Sequence, residues 1–110
     1  MKNKNIHYRQ GDVLIERIDS LPKNIKKLAR EQGRVVLAHG EATGHHHSLV
    51  DEHVALFTSS EQTGVTFLEV CDAMAALTHQ EHATITLPPG NYRVTRQREY
   101  SPEAIHNVQD

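Results

Sequence analysis

Histidines are concentrated in two short stretches of this 110-residue chain. The first stretch, GEATGHHHSLVDEH, runs from Gly40 to His53 and holds four of the nine histidines. The second stretch, LTHQEHATI, places His79 and His82 on either side of Glu81. Because imidazole is the commonest metal ligand in proteins, the two stretches are candidates for a shared metal site.

Strand alternation separates the three adjacent histidines. In a β-strand, His45 and His47 point to one face and His46 points to the other. Two imidazoles at positions i and i+2 can bind one ion, and zinc takes three protein ligands in catalytic sites and four in structural ones. The candidates for the remaining ligands are Glu52, His53, His79, Glu81 and His82. We predict that the metal ligands are His45, His47, His79 and His82.

The donor set contains nitrogen and oxygen atoms and no thiolate, which favours Zn²⁺, with Fe²⁺, Mn²⁺ and Ni²⁺ as alternatives. An ion with an open position would lower the pKa of a bound water or polarise an oxygen of a small-molecule substrate. Glu81 and Glu52 are the predicted catalytic residues, as ligand, general base or partner of an imidazole. A hydratase, a hydrolase and an iron-dependent oxygenase all remain open.

The elements that position these histidines are predicted to be short strands. The pattern indicates strands over 11–18, 33–42, 44–50, 54–58, 65–70, 82–87 and 91–100, and favours a strand for the ambiguous segment 73–79. Such spacing is typical of an all-β fold, either a small barrel or a sandwich. We expect one small β domain over residues 1–110.

Two segments carry possible helix signals. Ser101, Pro102 and Glu103 have the residue types of a helix start, which predicts a short C-terminal helix. Segment 22–30 begins with a proline turn and contains Ile25 and Leu28, which permit either one or two helical turns or a loop.

Composition limits the classes of partner. The formal net charge is −2, which argues against broad nucleic-acid binding. The hydrophobic fraction is 37 %, so the core is small and a homo-oligomer is favoured.

Cys71 is the single cysteine, which excludes an intrachain disulfide and suits the cytoplasm. The chain shows neither a signal peptide nor an apolar run of membrane-spanning length, so no membrane association is expected.

The histidine stretch resembles the first motif of the cupins, small β-barrels that usually bind a divalent metal. The matching residues are Gly40, His45, His47 and Glu52, with a spacer after the glycine that is one residue short. Pro88, Pro89 and Gly90 resemble the start of the second motif, but Arg93 stands where that motif has its metal histidine. The resemblance covers residues 40–92 and implies that His79 or His82 supplies the missing ligand. The chain is also similar to short uncharacterised bacterial and phage-borne proteins, which implies no function.

A second hypothesis is a non-catalytic binding or assembly module with a protein or RNA partner. Its candidate residues are Arg93, Arg96 and Arg98 of the last strand, with Tyr92 and Tyr100 available for stacking on bases. In a regular strand Arg96 and Arg98 share one face and Arg93 lies opposite. The histidines would then be structural, or would make an interface sensitive to pH.

Overall fold

The computed structural model describes residues 6–40 and 43–97. Within these ranges the chain forms ten strands and no helix, which confirms the all-β prediction. The strands are β1 His7–Gln10, β2 Val13–Ile18, β3 Ile25–Lys27, β4 Val35–His39, β5 His46–Leu49, β6 Val54–Ser59, β7 Val65–Val70, β8 Ala75–Leu77, β9 Ile85–Leu87 and β10 Gly90–Arg96.

The described strands form three open sheets. The largest sheet has six strands in the order β1-β2-β10-β7-β6-β3, with antiparallel neighbours. β4 pairs with β5, and β8 pairs with β9, as two separate two-stranded antiparallel sheets. Antiparallel sheets of this kind can bury one face and leave the other to solvent.

A single apolar core is shared by all three sheets. In the six-stranded sheet, register places Tyr92 beside Leu68 and Val94 beside Ile15, so these side chains share one face. The two smaller sheets add Leu49 and other buried residues to the same cluster. The buried core residues are Val13, Ile15, Val35, Leu49, Val54, Leu56, Leu68, Val70, Ala75, Leu77, Leu87, Tyr92 and Val94. The small sheets are therefore held against the large one mainly by apolar packing.

The sequence-based predictions of individual elements meet different outcomes. The helical alternative for segment 22–30 was wrong, because Ile25–Lys27 forms the edge strand β3 paired with β6. The ambiguous segment 73–79 does contain a strand, β8. Strand β1 was not predicted, since HYRQ lacks apolar alternation. The predicted C-terminal helix at 101–110 lies outside the described residues.

Over the described ranges, no helix has the length and apolar character that crossing a membrane requires.

Candidate functional site

The two histidine stretches lie side by side because a backbone bridge joins them. Ser48 and Thr78 form an isolated antiparallel bridge, with amide-to-carbonyl distances of 3.1 and 2.9 Å. Continuing this register by one residue places His47 opposite His79, and their ring centres are 4.3 Å apart. A local backbone pairing therefore brings together two histidines that are distant in the sequence.

The same register explains the neighbours of the other two histidines. His46 comes opposite Gln80, whose Oε1 accepts a hydrogen bond from the His46 amide at 2.8 Å. His45 comes opposite Glu81, and His45 Nε2 lies 3.8 Å from Glu81 Oε2. Because side chains alternate along a strand, His45 and His47 share one side and His46 takes the other.

His45 and His47 face an open cavity of about 370 Å³, which we call the histidine cleft. It holds all four predicted metal ligands, Glu81 and Gly40 of the cupin-like motif, together with two residues that the sequence did not single out for this site. The lining residues are Asp12, Gly40, His45, His47, His79, Glu81, His82 and Arg96. The cleft therefore presents several nitrogen and oxygen donors to one solvent-filled space.

The four imidazole rings lie close together, with ring centres 4.3–6.0 Å apart in the neighbouring pairs. Zn–N bonds of about 2.0–2.1 Å in a tetrahedron place ring centres about 5 Å apart. The observed separations are 4.6 Å for His79–His82, 5.5 Å for His45–His79 and 6.0 Å for His47–His82. Among the described residues, no three donor side chains already stand in metal-binding geometry. Binding would therefore require the more exposed rings to turn towards the ion.

His47 is held in one orientation by a buried glutamine. His47 and Gln10 are each 2 % exposed. The Gln10 amide nitrogen donates to the carbonyl oxygens of Leu77 at 3.0 Å and Ala83 at 2.9 Å. These two bonds identify the nitrogen end of the amide, so its Oε1 faces His47 Nδ1 at 2.8 Å as an acceptor.

This contact determines which ring nitrogen of His47 carries the proton. An amide oxygen cannot donate, so His47 Nδ1–H must be the donor of the bond. In the neutral ring, Nε2 then has a free lone pair. Metal-binding histidines commonly donate their second ring N–H to such a partner, which fixes both tautomer and orientation. Gln10 therefore fixes the tautomer of His47 in which Nε2 is unprotonated.

The electrostatic surroundings keep His47 neutral. Burial lowers the pKa of His47 to about 4, and the neighbouring His79 acts in the same direction, whereas Asp12 opposes the shift. Burial and His82 also lower the pKa of His79. Neutral imidazoles retain the lone pair that a metal needs.

His79 is oriented differently from His47. Its Nδ1 accepts hydrogen bonds from the backbone amides of Glu81 at 3.0 Å and His82 at 3.3 Å. In the neutral ring the proton is therefore on Nε2. For Nε2 to bind an ion, the His79 ring would have to release these amides and exchange its tautomer. Of the four predicted ligands, His47 is thus the one whose hydrogen bonds already suit metal binding.

An ion pair borders the cleft next to His47. Arg96 Nε donates to Asp12 Oδ2 at 2.8 Å, and Asp12 Oδ1 lies 3.9 Å from His47 Nε2. Burial raises the pKa of Asp12, but the hydrogen bond and charge of Arg96 outweigh burial and hold it below its ordinary value. Asp12 is therefore a stable carboxylate at the mouth of the cleft.

A tight turn brings Asp12 to this position. Gly11 and Asp12 connect β1 to β2, with Gln10 and Val13 as register partners. Gly11 has φ +60°, as the first central residue of a type II′ hairpin turn requires. A Cβ atom at Gly11 would lie 2.8 Å from His82 Nε2 and 3.2 Å from His47 Cε1. Glycine therefore permits both the turn and its close approach to two histidines.

Some of the candidate residues lie away from the cleft. Both ring nitrogens of His46 are engaged, with Ser48 Oγ at 2.8 Å and Gln80 Nε2 at 3.3 Å. Glu52, a predicted catalytic residue, is exposed in the turn between β5 and β6 and does not line the cleft. His53 Nε2 contacts the carbonyl oxygen of Met74 at 2.9 Å.

The arginines of β10 do not form a joint basic surface. Arg93 and Arg96 lie on opposite faces of the strand, as alternation predicts. Arg93 Nη1 pairs with Glu16 Oε1 at 2.9 Å, whereas Arg96 pairs with Asp12 in the cleft. Arg98 lies outside the described residues.

The sequence analysis missed Asp12 and Arg96, which line the cleft, and Gln10, which holds His47. The available signal was QGD, in which Gly-Asp could form a two-residue hairpin turn before an apolar strand. Nothing in that pattern shows which distant segment the turn approaches. The placement of Gln10 depends on tertiary packing against β8 and the segment that follows it.

The residues of the histidine cleft lie in the part of the chain that matches a protein-family model. Residues 9–97 match the model of a family described as Domain of unknown function (DUF8820). This range contains every residue that lines the histidine cleft. No curated protein and no solved structure matches the chain.

Proposed function

We propose that this chain, which belongs to the DUF8820 family, binds a divalent transition-metal ion in the histidine cleft. The observation that carries the proposal is the buried pair of Gln10 and His47. The Oε1 of Gln10 accepts a hydrogen bond from the Nδ1–H of His47, which leaves the Nε2 lone pair facing the cleft. A buried imidazole with this arrangement suits a metal ligand better than a residue that only fills the core.

The remaining donors would come from among the three more accessible rings, with one position left open for water. His45, His79 and His82 line the same cavity, and their ring separations bracket the spacing of imidazoles on one ion. His82 is exposed, so it can change rotamer at little cost in packing. We propose zinc as the ion, with Fe²⁺, Mn²⁺ and Ni²⁺ compatible with the same nitrogen and oxygen donors.

The proposed ligand set differs from that of the cupin motif. Gly40, His45 and His47 line the cleft, whereas Glu52 lies elsewhere and Arg93 pairs with Glu16. The cupin resemblance therefore contributes the two strand histidines to the proposal. It does not supply the acidic ligand.

An open cleft leaves space for water and a small substrate beside the ion. A bound divalent ion can bring the pKa of a coordinated water close to neutrality, which is the basis of metal-dependent hydration and hydrolysis. Glu81 would be the candidate base because its carboxylate is exposed and lines the same cavity. The reaction class proposed is thus hydrolysis or hydration, with the substrate undefined.

The test compares two adjacent histidines. The protein is purified without a nickel column, stripped with a chelator and titrated with Zn²⁺ against a chromophoric competitor. We expect His47→Ala to weaken binding by more than about a hundredfold, because removing a ligand costs more than the 10- to 100-fold effect of losing an outer partner. His46→Ala should bind Zn²⁺ within about threefold of the wild type, because both ring nitrogens of His46 are already engaged outside the cleft.

Equal affinity of the His47→Ala protein and the wild type would refute the proposal. An equal loss of Zn²⁺ affinity in His47→Ala and His46→Ala would also refute it, because the cause would then be a folding defect or binding by scattered surface histidines. A urea unfolding curve of each variant identifies a loss that is caused by unfolding.

A further inference from the structure

We infer that Asp12 supplies an oxygen ligand to the proposed ion, and that Arg96 positions its carboxylate. This inference rests on the proposed metal site, but it assigns a ligand from the first hairpin, a part of the chain outside both histidine stretches. The sequence pattern gave no reason to consider either residue for this site.

The distance between the donor atoms carries the assignment. Asp12 Oδ1 lies 3.9 Å from His47 Nε2, the ring nitrogen that is free to bind a cation. Two ligand atoms on one tetrahedral zinc ion are about 3.4 Å apart, given bonds of about 2.0–2.2 Å. A closure of roughly half an ångström, within the rotation of one exposed side chain, would therefore place an ion between the two atoms.

The carboxylate is held with one oxygen towards the histidines. Arg96 Nε binds Oδ2 at 2.8 Å, which leaves Oδ1 directed to His47. The backbone of the same residue is also fixed, because the Gln97 amide donates to the Asp12 carbonyl oxygen at 2.7 Å. Partners that hold a ligating group before the ion arrives reduce the entropy lost on binding.

Glu81 is the other carboxylate of the cleft that could supply an oxygen ligand to the ion. Its Oε2 lies 3.8 Å from His45 Nε2, a distance that matches the Asp12–His47 pair. The Glu81 side chain is 71 % exposed, whereas that of Asp12 is 42 % exposed. Within residues 6–40 and 43–97, no arginine or lysine pairs with the Glu81 carboxylate. His45 also lacks a counterpart to the Gln10 bond of His47 in this part of the chain. The fixed pair is therefore His47 with Asp12.

This assignment makes the ion a link between three segments. The β1–β2 turn provides Asp12, β5 provides His47, and the turn after β8 provides His79 or His82, which leaves one tetrahedral position for water. Combined imidazole and carboxylate donors suit zinc, iron and manganese.

The experiment exchanges each carboxylate for its amide. Zn²⁺ affinity is measured for Asp12→Asn, Glu81→Gln and Arg96→Lys by competition with a chromophoric chelator. We expect Asp12→Asn to lose more than about tenfold in affinity, and to lose clearly more than Glu81→Gln. Both variants lose one negative charge from the same cleft, so Glu81→Gln controls for electrostatic attraction alone.

Co²⁺ substitution separates a ligand from a positioning residue. The visible absorption of bound Co²⁺ depends on its ligand atoms, so Asp12→Asn should change the spectrum. Arg96→Lys keeps the positive charge and removes the Nε–H that holds Asp12 Oδ2, so it should lower affinity and keep the band positions, because the ligand set is unchanged. If Asp12→Asn does not fold, Arg96→Lys decides, and an affinity equal to that of the wild type would overturn the inference.

The two proposals fail in different ways. If His47→Ala weakens Zn²⁺ binding while Asp12→Asn keeps the wild-type affinity and Co²⁺ spectrum, Asp12 is not a ligand and the metal site stands. If Glu81→Gln shows the loss instead, the carboxylate ligand is Glu81. If neither His47→Ala nor Asp12→Asn affects binding, both proposals are wrong.

Discussion

His47 illustrates how one buried hydrogen bond fixes the tautomer and orientation of a side chain. A histidine on a strand face is ordinarily a polar residue whose tautomer is free to change. Here Gln10 is held by the carbonyl oxygens of Leu77 and Ala83, so it can only accept from His47. The Nε2 lone pair of the ring therefore faces the cleft. Buried hydrogen bonds between Gln10, two carbonyl oxygens and His47 maintain this orientation.

At the residue scale, the low pKa of His47 predicts that acid destabilises the metal-free protein. The unfolded chain binds a proton near the ordinary value of 6.5, whereas the folded state does so only at about 4. The unfolded state therefore binds more protons between these values, so stability is present above about pH 6.5 and falls as the pH drops towards 4. The full loss attributable to His47 is about 3 kcal/mol.

Urea unfolding with a chelator present, between about pH 7 and about pH 4, measures this effect. His47→Gln has no titrating group at this position, so its free energy of unfolding should fall less steeply over the same range. If the free energy of unfolding changes equally with pH in the two proteins, His47 titrates normally in the folded state.

At the scale of elements, the site depends on a strand register and a hairpin turn. The bridge between Ser48 and Thr78 aligns residues 45–47 with residues 79–81, which sorts the histidines onto two sides. The sequence predicted this sorting for His45, His46 and His47, because alternation is a local property of a strand. It did not predict the partner residues, because register between separate strands depends on tertiary packing.

The β1–β2 turn provides a matched pair of substitutions. Gly11 and Gly33 both have positive φ, at +60° and +80°, so alanine introduces backbone strain of about 1 kcal/mol at each. A Cβ at Gly33 meets nothing within 4 Å, whereas a Cβ at Gly11 meets His82 and His47. We expect both variants to lose similar stability from strain, and Gly11→Ala alone to lose Zn²⁺ affinity, by at least about tenfold.

Competition titration and urea unfolding of both variants check this expectation. A Gly33→Ala protein with the same loss of affinity would attribute the effect to general destabilisation. A Gly11→Ala protein with wild-type affinity would show that the turn need not approach the histidines.

At the scale of the whole molecule, the sequence predicted the all-β class of the fold better than the order of the strands in its sheets. The alternation of VALFT, VTFLEV and NYRVTR predicted strands that are present as β6, β7 and β10. Their order, with β10 between β2 and β7, could not be read from alternation because it reflects long-range pairing. For segment 22–30 the sequence permitted helical turns or a loop, since Ile25 and Leu28 fit helical spacing, whereas the edge of β6 was available for pairing.

The same long-range packing creates the histidine cleft. Asp12 from the six-stranded sheet, His47 from the β4–β5 sheet and His82 from the segment between β8 and β9 meet only because the three sheets share one core. A cation bound there would connect elements that are otherwise held together mainly by apolar contacts. Metal binding and folding stability should therefore be linked, as they are for any ligand that prefers the folded state.

The most direct test of the central claim is a crystal structure of the Zn²⁺-loaded protein with anomalous data at the zinc edge. The account predicts one strong anomalous peak in the histidine cleft, about 2.0–2.1 Å from His47 Nε2. Asp12 Oδ1 should be a further ligand at about 2.0–2.2 Å. A fully loaded crystal with the Nε2 of His47 unliganded, and zinc only on exposed surface histidines, would contradict it.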